Sequence, residues 1–140
     1  MACKEKSAWG MILALIISGG FYAASIYGAA IALQDIPPPN GIGMGVAVVI
    51  IVAVAIFGHA VAAIGNPADA NAPEDERDRL VVWRSGNLSG ALLGVLCILS
   101  IFAYAVVQHG HMMFHAIVFS LVISQLAEYA LTIWYYRRGV

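Results

Sequence analysis

LSGALLGVLCILSIFAYAVV (Leu88–Val107), QHGH (Gln108–His111) and MMFHAIVFSLVISQLAEYALTIW (Met112–Trp134) run consecutively and decide the fold. The two apolar runs hold roughly 20 residues or more, enough to cross about 30 Å of hydrocarbon at about 1.5 Å per residue of helix. Lipid offers backbone N–H and C=O groups no partner, so each run satisfies them within itself as a helix. The connector Gln108–His111 is too short for anything but an antiparallel hairpin.

Upstream, Ala8–Leu33 and Gly43–Ile64 are equally apolar. The expected fold is an all-α integral membrane protein, a single domain over residues 1–140 with spans at about 8–33, 43–64, 88–107 and 112–134, packed as an antiparallel bundle. Composition agrees: 61% of residues are hydrophobic and 11% charged, against about a quarter charged in soluble domains. Between the first two spans, Pro37, Pro38 and Pro39 block helix continuation and Asn40-Gly41 favours a turn, giving a short stiff loop. Cys3 and Cys97 supply no disulfide framework. Lys4, Lys6 and Ala23-Ala24-Ser25 also permit a cleaved signal peptide, but the apolar run continues past that point, so an uncleaved first span is expected.

Orientation follows from the seven basic residues. Lys4 and Lys6 precede the first span, Arg77, Arg79 and Arg84 lie between the second and third, and Arg137 and Arg138 follow the fourth. Four spans put all of them on one side, which the positive-inside rule makes cytoplasmic, so both termini are expected inside. Trp9, Trp83, Trp134, Tyr135 and Tyr136 fall at the headgroup boundaries where amphipathic rings belong. No basic cluster is large enough to suggest a nucleic-acid surface.

The long cytoplasmic connection is residues 65–86. Asn71 can cap a helix, Pro73 suits its first turn, and Glu74, Asp75 and Glu76 complement its dipole, so a short interfacial helix is expected before the third span. In that arrangement Leu80, Val81 and Trp83 dip toward lipid, Arg77, Arg79 and Arg84 meet phosphates, and Ser85-Gly86 bends the chain into the span. Asp75, Glu76, Arg77, Asp78, Arg79, Trp83 and Arg84 form either a capped connector or a surface for a partner or lipid.

Without a hydrophobic drive between helices, close packing needs small residues. Gly20, Ala24, Gly28 and Ala32 in the first span, and Gly86, Gly90 and Gly94 entering the third, form ridges at four-residue spacing, read as packing surfaces within the chain, with homodimerisation as the alternative. Polar groups inside spans are functional candidates by default. His59 and Glu128 lie at similar depth near the cytoplasmic side, and a bond between them would act as a structural clamp or a proton relay. His111, His115, Gln125, Glu128 and Thr132 make a polar stripe expected to point into the bundle. On the far side His109, His111 and His115 lie close together and suggest a transition-metal site; haem ligation by His59 and a second histidine is less expected, because His115 lies near the opposite face, and no other cofactor is predicted.

Asp75-Glu76-Arg77-Asp78-Arg79, Arg84-Ser85-Gly86 and Tyr135-Tyr136-Arg137-Arg138-Gly139 together resemble a family of small, uncharacterised bacterial four-span inner-membrane proteins. The resemblance covers mainly the second half of the chain. It implies a bacterial inner membrane and carries over no catalytic residues.

No nucleophile elbow, phosphate loop, zinc-protease motif or paired-carboxylate site occurs, so an enzyme is not expected. The leading expectation is an accessory or regulatory membrane protein that binds a membrane or cytoplasmic partner, or itself as a homo-oligomer. The alternatives are a small oligomeric carrier, channel or proton-coupled transporter using His59 and Glu128, and a metal-binding protein using His109, His111 and His115.

Overall fold

The computed structural model describes residues 3–65 and 75–138, leaving aside the side chains at 3, 4, 6, 58, 59 and 61–65. The described residues form four helices and no strand: α1 (Cys3–Leu33), α2 (Gly41–Gly65), α3 (Glu76–Val107) and α4 (Gly110–Arg138). Three of them, over Ser7–Leu33, Glu76–Val107 and Gly110–Arg138, are long and apolar enough to cross a membrane, and α2 carries a shorter apolar stretch, Gly41–Phe57. Large apolar side chains stand outward, with Ile42 at 81% and Val106 at 83% exposure. In water such coverage would be an aggregation hazard; against acyl chains it is the expected surface.

Helix α1 packs against α2 and α4, and α4 packs against α3. Residues along the α1–α4 seam pair in opposite order, as antiparallel helices require. Glu5 binds Arg137 Nε at 3.0 Å, a Cβ on Gly19 would come within 3.2 Å of Val122, and Tyr22 meets Phe119 and His115 with ring centroids 5.9 Å apart in each case. The N-terminal end of α1 and the C-terminal end of α4 therefore share one end of the molecule.

The turns are closed by local chemistry. Asn40 Oδ1 accepts the N–H groups of Ile42 at 3.1 Å and Gly43 at 3.2 Å, capping α2. Gln108 ends α3 in the left-handed region, φ 54°, with its N–H donating to Tyr104 O at 2.7 Å. His109 opens α4: its carbonyl accepts from Met113 N–H at 3.2 Å, and its Nδ1 accepts from Met112 N–H at 3.4 Å. The ring proton is thus on Nε2, which faces Asp35 Oδ1 of the first loop at 3.3 Å.

Two expectations need correction. Residues 76–86 form no separate interfacial helix with a bend at Ser85-Gly86, because α3 runs unbroken from Glu76 to Val107. Ser85 Oγ donates back to Val81 O at 2.9 Å and Val82 O at 3.1 Å, so the hydroxyl stays within the helix it was expected to interrupt. Val81 is buried, while Leu80 and Trp83 are exposed. Asp75 precedes the helix without a side-chain cap, and the expected Asn71 and Pro73 start lies outside the described residues.

Most of the glycine ridges, read as packing surfaces within the chain, instead face outward, while Gly86 is half-buried beside Glu128 of α4. Gly20, Ala24, Gly28, Gly90 and Gly94 are exposed, and a Cβ on any of these four glycines would meet nothing within 4 Å. The buried face of α1 carries Ala14, Leu15, Ser18 and Tyr22. Gly20 and Ala24 each lie two residues beyond Ser18 and Tyr22, about 200° around a helix of 3.6 residues per turn, on the opposite side.

The Ile36 N–H donates to Asp35 Oδ1 at 2.7 Å, and this bond, helped by His109 and His111, holds the exposed Asp35 carboxyl below the ordinary aspartate range although desolvation opposes it. A carboxylate depressed in the folded state stabilises above its unfolded value and loses that contribution as pH falls through the folded one. Asp35→Asn should accordingly lower the melting temperature in micelles at neutral pH. The difference from wild type should shrink as pH falls below about 4, the usual aspartate value. A pH-independent difference would remove the charge from the explanation.

Candidate functional site

The densest polar constellation sits in the seam between α3 and α4. Helix α3 supplies Ser85 and Ser89 one turn apart, and α4 supplies Ser124, Glu128 and Thr132 at the same spacing, so each set lies on one face. A serine in a lipid-embedded helix satisfies its hydroxyl on a carbonyl one turn back or across to a neighbour. Ser89 Oγ does both, lying 3.0 Å from Gly86 O and 3.2 Å from Glu128 Oε2. Ser124 Oγ crosses the seam to Ser89 O at 2.8 Å. Thr132 Oγ1 lies 3.0 Å from Ser85 Oγ and 2.8 Å from Glu128 O.

Glu128 is the centre of this group and is half-buried. Its Oε2 accepts from Ser89 and from Gln125 Nε2, the latter at 3.2 Å. Its Oε1 lies toward Gly86, where an added Cβ would make ordinary contact at 3.9 Å. Carboxylate, hydroxyl and amide groups form an oxygen-rich set that suits a proton or a hard cation better than a transition metal. Among the described residues, no buried side-chain nitrogen or oxygen lacks a hydrogen-bond partner.

The expected pair of His59 and Glu128 reaches outside the described residues at the His59 side chain. The partners described for Glu128 are Ser89 and Gln125. The polar stripe of α4 divides instead of pointing one way. Glu128 and Thr132 face α3, His115 faces α1, and His111 and Gln125 are exposed.

His115 is 6% exposed and both ring nitrogens are engaged. Pro37 offers only a carbonyl, so His115 Nε2 donates to Pro37 O at 2.9 Å, and Nδ1 accepts the Tyr22 hydroxyl at 2.9 Å. That removes the third ligand from the expected metal set. His109 and His111 remain neighbours, with ring centroids 5.6 Å apart, and Asp35 joins them through His109. Among the described residues no three His, Cys, Asp or Glu side chains meet in a metal-holding group.

At the charged end, Arg77 Nη2 donates to Tyr136 O at 3.2 Å and the Tyr136 hydroxyl to Asp78 Oδ1 at 2.8 Å. Arg77 and Asp78 thereby serve to join α3 to α4, while Asp75, Glu76, Arg79, Trp83 and Arg84 are exposed. Sequence reasoning passed over Ser89, Ser124, Tyr22 and Asp35, and took Ser85 for a bend rather than a seam residue. The one-turn spacing of Ser85 with Ser89 and of Ser120 with Ser124 was the available signal for a polar seam; Tyr22 carries no comparable mark.

Apolar helix exteriors joined along polar seams define an all-helical membrane protein. The chain belongs to the family described as "Predicted membrane protein (DUF2178)", which matches residues 5–140. No curated protein and no solved structure matches it. The family's description agrees with the resemblance to an uncharacterised membrane family.

A double-mutant cycle tests the seam. Ser89→Ala and Glu128→Ala should each destabilise the protein in bicelles, with a coupling of about 0.6 kcal/mol, the average for such interhelical bonds. Strict additivity would show that the Ser89–Glu128 bond does not hold α3 to α4.

Proposed function

We propose that this is a non-enzymatic accessory or regulatory protein of the bacterial inner membrane, spanning it four times with both termini in the cytoplasm, and acting through protein contacts within the bilayer. The observation that carries the reading is the outer face of α3. Asn87, Gly90, Ala91 and Gly94 lie together there and all are exposed. Nothing approaches within 4 Å of a Cβ placed on Gly90 or Gly94, so a partner helix has room to bring its backbone close. The Asn87 amide, without a side-chain bond among the described residues, supplies a polar group of the kind that joins helices in lipid.

The face formed by Gly20, Ala24 and Gly28 of α1 is a second open surface, and the exposed Asp75, Glu76, Arg79 and Arg84 extend the contact region into the cytoplasm. The partner is a membrane or cytoplasmic protein or a second copy of the chain, with lipid elsewhere and no nucleic acid. Four spans are supported by the 25-residue length of α2. The orientation is supported by the shared end at which Glu5 meets Arg137 and by the positive-inside pattern of the basic residues.

A carrier or proton-coupled transporter is the second reading, favoured by the oxygen-rich surroundings of Glu128. A photoreactive residue at Ala91 should give one discrete crosslinked species in native membranes, and Gly90→Leu should abolish it while the chain still accumulates in the membrane. Failure of any Ala91 position to crosslink to protein would sink the contact reading. Proteoliposome ion flux that Glu128→Gln abolishes would put the transporter in its place.

A further inference from the structure

Near the charged end of α4, Ala127, Ala130, Leu131 and Trp134 line a shallow, open apolar groove of about 480 Å³. These positions recur at helical spacing, so the two alanines form a trough on one face, with Leu131 and Trp134 as its walls. The mouth of the groove is cationic. The Arg138 guanidinium lies 4.6 Å from the Trp134 ring centroid, and the ring of Tyr135 braces the indole edge-on with centroids 5.0 Å apart.

Among the described residues, Arg138 stacks on Trp134 and makes no ion pair, whereas its neighbour Arg137 does. Arg137 binds Glu5, Arg77 reaches Tyr136 O, and Asp78 accepts the Tyr136 hydroxyl. Stacking on Trp134 takes only the face of the guanidinium and leaves its in-plane N–H groups to donate. A planar fork of donors at headgroup depth, directly above an apolar trough, matches a phosphate joined to an acyl chain.

We infer that this groove is a binding site for one anionic phospholipid, its phosphate on Arg138 and an acyl chain lying along Leu131, Ala130 and Ala127. A protein helix would fill the trough equally well, but nothing apolar uses the exposed guanidinium at its mouth. The charge complementarity is what selects the lipid. The inference is independent of the contact face on α3.

Native mass spectrometry of the purified full chain, titrated separately with dioleoyl phosphatidylglycerol and dioleoyl phosphatidylcholine, tests it. One phosphatidylglycerol should be retained about fivefold more strongly than phosphatidylcholine, the ratio a single arginine supplies at an anionic surface. Arg138→Gln should bring the two lipids level. Ala130→Leu, which fills the trough and keeps the charge, should weaken phosphatidylglycerol retention while the protein melts as wild type does. Equal retention of both lipids by the wild-type chain overturns the site, as does a phosphatidylglycerol preference that both substitutions leave intact. A change in oligomeric state with Ala130→Leu also overturns it, by assigning the groove to a second copy.

Discussion

Helices in lipid gain nothing by hiding apolar faces from one another, because acyl chains are as apolar as leucine. What distinguishes one arrangement from another is then the fate of the polar groups. The buried positions reflect this: Ser18, Ser85, Ser89, Ser100, Ser120, Ser124, His115 and Glu5 are as fully enclosed as Leu15, Val81 and Ile133. Exteriors carry the large aliphatic side chains that a soluble protein would enclose. The seam between α3 and α4 shows the economy of the device. Small hydroxyl residues let the helices approach, and the same hydroxyls bond across once they have done so.

Glu128 is the strongest expression of that constraint. A carboxylate in a membrane-spanning helix is costly unless its oxygens find donors. Here Ser89 and Gln125 both donate to one oxygen. Removing either leaves a carboxylate rather than a neutral group short of a partner, which makes Glu128 harder to accommodate than any serine around it. The cluster therefore ties register to charge: a slip of one residue along α3 would rotate Ser89 away by about 100° and strand the carboxylate. A polar clamp and an ion-handling site need the same atoms, and they differ only in whether the bound proton or cation ever leaves.

The helices themselves were legible because hydropathy and length are properties of segments. The spans read from apolar runs lie within the helices found, and the hairpin at Gln108–His111 follows from its brevity alone. Helix faces were not legible. In a soluble bundle, hydrophobic periodicity marks the inward side, but here every face is apolar and the periodicity is flat. Gly20, Ala24 and Gly28 looked like a packing ridge because small residues permit contact, but small residues alone do not say on which side of α1 the neighbour stands. Ser18, on the opposite side, carried that information as a polar group needing enclosure. The bend placed at Ser85-Gly86 failed for a related reason. Serine and glycine break helices in water by offering alternatives to the backbone bond, whereas Ser85 in an apolar setting returns its hydroxyl to its own helix.

His115 shows how far context moves a residue's meaning. Beside His109 and His111, with methionines adjacent, it reads as a ligand awaiting a metal. In the structure its two nitrogens face Tyr22 of α1 and the carbonyl of Pro37 in the first loop. The three prolines explain why such a bond can be reliable. A loop of fixed φ presents its carbonyl in a narrow range of directions, so little entropy is lost in ordering it against the imidazole. The stiff loop, the tyrosine and the histidine then act as one lock holding α1, α4 and their connection at that end of the molecule. Asp35 and His109 repeat the tie at the rim, where solvent weakens it. His109 and His115, which suggested chemistry at this end, thus help to close it, and the outer faces of α1 and α3 and the surface beneath Arg138 remain open to other molecules.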